Sequence, residues 1–347
     1  MAAGPDGDES QPDAPQADEP RSDAPGPAPR LRGTPAGGTH AAFEGIWPIL
    51  FAFFDAHDRL ERDAMRRQAN AAVAWGAPGV AILGLATEVN KLAVAERQDL
   101  VRWLREDLDG RLPFAVTVSG GTVAEQRALA EFAIAEGAAW LILQPPPVAL
   151  TGARPERFYF DFFAEVMDGL PVPVGIQNAP DYLGVGLSPQ ALLELAAARR
   201  NFRVLKGEAP STVIERTIAH AGDRLAVLNG RGGLELIENL QAGCAGMIVA
   251  PDTADHQQRV FELLRAGRAE EARALYAWIL PAIVFAMQSL DALVCYGKRI
   301  AAWRLGIGEV HDRAPARAPT AFGLRVAREY ARRLGPPGAA TGQPGAR

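Results

Sequence analysis

"NFRVLKGEAPS", residues 201–211, carries a short apolar run, Phe202–Leu205, that ends on a lysine. The run reads as a buried β-strand, and its place among similar runs decides the fold. From Phe43 onward the same unit recurs: "GIWPILFAFF" (45–54), "GVAILG" (79–84), "FAVTVSG" (114–120), "WLILQPP" (140–146), "PVGIQNAP" (173–180), "RVLKGE" (203–208), "LAVLNG" (225–230) and "GMIVAP" (246–251). Between the runs lie segments such as 60–74 and 93–107, with apolar residues three and four apart, the helical interval. Gly or Pro marks nearly every junction. Continuous apolar strands separated by helices predict a parallel sheet buried on both faces, and eight strands close a barrel. A doubly wound open sheet is the competitor, but no G-x-G-x-x-G follows the first strand. The expected fold is α/β, a (β/α)8 TIM barrel over residues 43–255. Additional C-terminal helices are expected over 256–334, at roughly 256–306 and 320–334, around a proline-bearing loop at 314–319.

The two ends differ in kind. Residues 1–42 contain eight Pro, six Gly and no aromatic residue, too little apolar surface to order themselves, so a disordered acidic tail is expected. Seven acidic and three basic residues give that segment −4 of the total −5, leaving −1 for the body. A near-neutral body without a basic patch argues against a nucleic-acid partner. Residues 335–347 read as a second disordered tail. No apolar run reaches the roughly 18 residues of a membrane span, and no secretory leader pattern is present. Cys244 and Cys295 sit in apolar contexts and read as small buried hydrophobes. A cytoplasmic protein without membrane contact is expected.

The chain has 36 basic residues and only three are lysines, Lys91, Lys206 and Lys298. Arginine stays charged at any accessible pH, whereas burial disfavours an ammonium and can release a neutral, nucleophilic amine. Such an amine attacks a ketone to give a Schiff base, whose protonated form is an electron sink for an adjacent C–C bond. Lys206 falls at the carboxyl end of the sixth strand, the barrel end where chemistry sits. The bland reading of the same residue is a lysine paired with Glu208 at the strand rim. Glu208, two residues on, points to the same side of a strand and is placed to orient or tune the amine. Lys91 and Lys298 read as solvated or structural. In "GLATEVNKL" (84–92), Gly84 and the backbone of Leu85, Ala86 and Thr87 offer N–H groups to a carboxylate, although Thr87 and Glu88 also fit simple helix-capping roles. Asn178, Asn229 and Arg231, after the fifth and seventh strands, are further candidates for substrate contact.

Taken in order, these pieces resemble the dihydrodipicolinate synthase/N-acetylneuraminate lyase family of class I aldolases across roughly 43–334. "GLATE" stands for that family's G-T/S-T-G-E, "LPFAVTVSGGT" for its V-x-A-G-x-G, and "NAP", "VLKGE" and "GMIVAP" follow at the matching strands. "YGKRIAAWRLGI" and "RAPARAPT" resemble its late helix and proline-bearing loop. The resemblance implies a barrel with a three-helix C-terminal region, a homodimer or homotetramer, and chemistry through a lysine–pyruvate Schiff base. Lys206 matches that lysine. It also implies a small 2-keto acid as substrate, an aldehyde as its partner, and no metal or other cofactor.

Three departures qualify the resemblance. The two hydroxyl residues of the family's strand-two motif are Leu85 and Ala86 here, and the tyrosine after strand four falls on Pro147, within "QPPP" (144–147). Where synthases that bind aspartate semialdehyde have an arginine, this chain has Tyr182, a candidate for proton transfer or for an aromatic wall. Lysine-biosynthetic synthase activity is therefore not expected. The apolar positions Leu85, Ala86 and 145–147 suit a hydrophobic or aromatic aldehyde better than a sugar acid. A second reading is a catalytically silent barrel that binds a small carboxylic acid as a sensor or structural partner. A metal-dependent aldolase finds little support, because the five histidines are scattered without ligand spacing.

Overall fold

The computed structural model describes residues 40–339, together with Met1 and Gly4. The expected N-terminal tail therefore lies almost wholly outside the described residues, as does 340–347. Eight strands form: β1 Gly45–Pro48, β2 Val80–Ile82, β3 Phe114–Val118, β4 Trp140–Leu143, β5 Val174–Asn178, β6 Phe202–Gly207, β7 Ala226–Asn229 and β8 Gly246–Val249. Each falls on one of the apolar runs, and all are parallel in the order β1-β8-β7-β6-β5-β4-β3-β2. The ring is completed where Ile49 bridges Ala81 and the Leu50 N–H donates to the Ala81 carbonyl at 3.0 Å. The structure is the expected (β/α)8 barrel with additional C-terminal helices.

Helices cover the outside of the ring, so the strands are buried on both faces and carry Val, Ile, Leu and Phe continuously rather than alternately. Alternation survives in which core each side chain joins. On β1 and β8, Trp47 and Ile248 pack in the main core, while Ile46, Met247 and Val249 pack against the C-terminal helices. The helix Ala254–Arg265 follows β8 directly, and Gln258 Oε1 accepts the Ile46 N–H at 2.9 Å, tying this helix to β1.

The long helix Ala269–Ala286 contains Pro281 and is followed by a sharp turn, 104° between it and the segment Leu290–Arg304. That segment includes a π-helical turn, Leu293–Gly297, before the helix Lys298–Arg304. The last helix is Ala321–Leu334. No single helix among the described residues is long and apolar enough to cross a membrane. Arg304, buried, anchors this region: it donates twice to Asp255 at 2.9 and 2.7 Å, and to the carbonyls of Asp252 and Gly335. The Gly338 N–H reaches Asp255 Oδ2 at 2.9 Å, so the beginning of the expected C-terminal tail lies against the barrel.

Candidate active site

β6 delivers Lys206 to the carboxyl end of the barrel with Leu205 and Val204 buried beneath it. The residue is 4% exposed, and its Nζ lies 2.7 Å from Glu208 Oε1. Glu208 lies just beyond the strand, its N–H bonded to the Asn178 carbonyl, which continues the β5–β6 pairing and keeps the two side chains together. Register sets the third member: Gln177 of β5 pairs with Lys206. Gln177 Nε2 donates to the same Glu208 Oε1 at 2.8 Å, and Gln177 Oε1 accepts from Gln144 Nε2 at 2.8 Å. A carboxylate only accepts, so the Gln177 amide must turn its NH2 toward Glu208, which leaves its oxygen for Gln144. Lys206, Glu208, Gln177 and Gln144 form a buried polar line through three adjacent strands.

Gly230, just after β7, makes room for that line. A methyl group there would sit 2.7 Å from Lys206 Cε and closer still to Glu208 Oε1. The pair therefore lies flat against the β7 backbone.

A cleft opens above Lys206, with about 480 Å³ of empty space including its mouth. Among side chains on its wall, only Lys206, Glu208 and Tyr182 are polar; Ile49, Leu85, Ala86, Ile248, Val249 and Ala250 make up the barrel side. Tyr182 stands at the rim, 38% exposed, on the short helix Pro180–Leu183. Met287, Leu290 and Leu293 close the far wall from the C-terminal helices. The π-helical turn carries Leu293 to this wall and continues directly into Lys298.

Five sequence candidates lie off the cleft wall. Gly84 packs beneath Ile49, whose side chain would collide with any Cβ there. Thr87 is fully buried, and its hydroxyl donates to the Leu50 carbonyl at 2.6 Å. Asn178 brackets the backbone of Leu187, accepting its N–H at 2.8 Å and donating to its carbonyl at 3.0 Å. Asn229 holds the Ala209 carbonyl, Asn239 and the Arg231 N–H, while Arg231 pairs with Glu235 at 3.0 Å. These side chains brace loops around the mouth. The prolines at 145–147 are not on the cleft wall either; Pro147 is exposed.

The other two lysines are structural. Lys298, wholly buried, meets Glu88 Oε1, while Lys91 donates to Glu88 Oε2 at 2.6 Å and to the Arg313 carbonyl at 2.9 Å. Burial holds the Lys298 ammonium below its ordinary value, opposed by the Glu88 charge. Glu88 is thus a hub between two lysines and not a capping residue, since its side chain makes no cap bond. Burial pushes the Cys244 thiol up to about 12, which leaves it unreactive. Among the described residues no three His, Cys, Asp or Glu side chains gather as a metal site would require.

The sequence did not single out Gln144, Gln177 or Gly230 as site residues. Their common signal is position: all three stand at or just past strand ends, where a barrel puts its chemistry. Met287, Leu290 and Leu293 carried no local signal.

The site thus sets a buried amine with a carboxylate beside it at the carboxyl end of an eight-stranded parallel barrel, the end where such barrels place their chemistry. The Dihydrodipicolinate synthetase family matches residues 42–300, and the chain belongs to that family. It is 28% identical over 242 residues to the L-2-keto-3-deoxyarabonate dehydratase of Azospirillum brasilense, covering 69% of this chain and 78% of that protein. It is 27% identical over 232 residues to the putative 2-dehydro-3-deoxy-D-gluconate aldolase YagE of Escherichia coli, covering 66% and 75%. The crystal structure of YagE from E. coli K12 in complex with pyruvate superposes with a TM-score of 0.75 at 20% identity, over 84% of this chain and 98% of that one.

Proposed function

We propose that this protein is a Schiff-base-forming lyase or aldolase that takes pyruvate or another short 2-keto acid on Lys206. The observation that carries the reading is the placement of Lys206: a buried amine on an apolar cleft, within reach of one carboxylate and backed by neutral amides. An amine nucleophile needs a nearby proton acceptor and a site that keeps water from competing, and this cleft offers both. Family membership supports the same chemistry, and relatives named as aldolases and a dehydratase handle 2-keto-3-deoxy sugar acids. The backbone around Leu85 and Ala86 is the proposed seat for the substrate carboxylate, with Tyr182 covering the rim.

The remaining substrate portion is proposed to be apolar. A sugar acid brings several hydroxyls that need partners, and the cleft offers only three polar side chains. Alkyl or aromatic aldehydes fit the Ile49, Met287 and Leu293 surfaces better.

The test is borohydride trapping with pyruvate and 2-oxobutyrate, read by intact mass and peptide mapping, with Lys206→Ala as control. An adduct on the Lys206 peptide, absent from the variant, is expected. An aldehyde screen should then favour alkyl and aromatic partners over sugar aldehydes. A folded protein that gives no adduct with either keto acid is instead a silent carboxylate-binding barrel.

A further inference from the structure

We infer that Glu208 is the proton carrier of this site, taking at C3 of the bound keto acid the proton for which the cleft wall offers no other buried base. The inference rests on the Schiff-base reading of Lys206 and deepens it. The two carboxylate oxygens of Glu208 have different surroundings. Oε1 is committed, holding Lys206 Nζ at 2.7 Å and Gln177 Nε2 at 2.8 Å. Oε2 has no hydrogen-bond partner among the described residues, and Glu208 lines the cleft. One oxygen is thus fixed on the amine while the other is free to meet the carbon next to the imine.

No other group on the wall is placed for this work. Apart from Lys206 itself, Tyr182 is the other proton-bearing side chain among the described residues of that wall, and it lies at the rim, 38% exposed. The turn after β2 offers Leu85 and Ala86, and Thr87 is turned away into its bond with the Leu50 carbonyl. Pro147, after β4, has no proton to exchange and is off the wall. Gln177 and Gln144 cannot ionise; they act as positioning residues that hold Glu208 against Gly230.

The steps balance with this one carboxylate. The Lys206 ammonium gives a proton to Glu208, leaving a neutral amine and a carboxylic acid. The amine attacks C2, forming the C–N bond while the carbonyl π pair moves to oxygen, and a proton passes from nitrogen to that oxygen. Glu208 returns its proton to the carbinolamine hydroxyl, the C–O bond breaks, water leaves and the nitrogen lone pair closes the iminium. The Glu208 carboxylate then removes a proton from C3. The C–H pair becomes the C2–C3 double bond, the imine π pair returns to nitrogen, and the enamine is ready for an aldehyde.

Exchange of the pyruvate methyl protons in D2O, followed by NMR, reads the C3 step without any aldehyde. Glu208→Gln should slow exchange by about 100-fold or more, the range of a lost general base. Pyruvate should still be trapped on Lys206 after long incubation, more slowly because the same carboxylate relays the proton of imine formation. The exchange rate should fall at least about tenfold further than the trapping rate, and Glu208→Asp should recover part of both, since it keeps a carboxylate. Exchange retained within about threefold in Glu208→Gln overturns the inference. So does a loss of exchange no greater than the loss of trapping in that variant while it remains folded, for the carboxylate then serves the amine alone. Failure of the wild-type protein to trap pyruvate at Lys206 is a separate result, and it overturns the Schiff-base reading itself.

Discussion

Two buried lysines of this chain each meet a buried glutamate, and the surroundings of the two pairs differ in one decisive way. Lys206 and Glu208 form part of a cleft wall. Lys298 is wholly buried against Glu88, which itself lines a neighbouring cleft but carries Lys91 on its second carboxylate oxygen, with the Phe54 ring 5.4 Å from the Lys298 ammonium. In the Glu88 set both glutamate oxygens carry a lysine, so the charges are satisfied by the protein alone. In the open pair one carboxylate oxygen has no hydrogen-bond partner among the described residues. Burial and pairing alone therefore do not set the two lysines apart; what distinguishes the lysine proposed as the nucleophile is an unfilled valence of its partner facing the cleft.

Replacing each lysine by Met should break the comparison if it is wrong. Lys298→Met leaves Glu88 buried with only Lys91, and removing one partner of a buried pair costs about 3–5 kcal/mol. Lys206→Met should abolish trapping, yet lower stability by only about 1–2 kcal/mol, because water entering the cleft can solvate Glu208. Urea melts and borohydride trapping on both variants provide the check, with the folded fraction of Lys298→Met still trapping pyruvate. Equal losses of stability at the two sites would remove the distinction drawn between them.

Much of this was legible in the sequence. The eight strands were readable because a sheet covered on both faces needs uninterrupted apolar runs, and each run stood between Gly or Pro junctions. The Lys206–Glu208 pair followed from strand alternation. Gln177 did not, because its place beside Lys206 depends on register between two strands that the chain alone does not specify. Asn178, Asn229 and Arg231 were read as substrate contacts, but each satisfies loop backbone or a neighbouring glutamate instead. A polar residue at a strand end looks the same in sequence whether it faces a ligand or braces a loop. The Met287–Leu293 wall arrives from a helix pair far along the chain, and only tertiary packing brings it to the cleft.

Asp252, just past β8, sharpens the comparison from the side of an acid. It is buried, while the side chain of Arg304 is taken by Asp255 and Arg304 reaches only the Asp252 carbonyl. Burial pushes its carboxyl up to about 7. The unfolded chain ionises near 4, so the folded state holds the extra proton between about pH 4 and 7. Wild-type stability is thereby reduced progressively across that window, and the penalty is constant above it. Asp252→Asn removes the ionisation. Its thermal stability should match wild type near pH 4 and exceed it near pH 8, by at most ~4 kcal/mol at about 1.4 kcal/mol per tenfold. A gain that is the same at both pH values would show that packing, not charge, is at issue.

The smallest effect is expected at the outer edge of the Glu88 lysine set. Arg313 lies 4.1 Å from the centre of the Phe54 ring and donates to the Lys91 carbonyl at 3.1 Å and to Glu96 at 2.9 and 2.7 Å. The bond from Arg313 holds the Glu96 carboxyl below the ordinary glutamate range, despite some desolvation. A depressed carboxyl contributes stability that is present above its unfolded value, near 4.3, and is lost as pH falls through the lower folded value. Glu96→Gln should therefore cost only about 0.5–1 kcal/mol at pH 7, as a partly exposed pair does, and the difference from wild type should fade below about pH 4. Salt should weaken the effect at pH 7 as well, since this pair reaches solvent. The Lys298–Glu88 contact, buried beside Phe54, should show far less salt dependence, and that contrast separates an exposed rim from a buried pair.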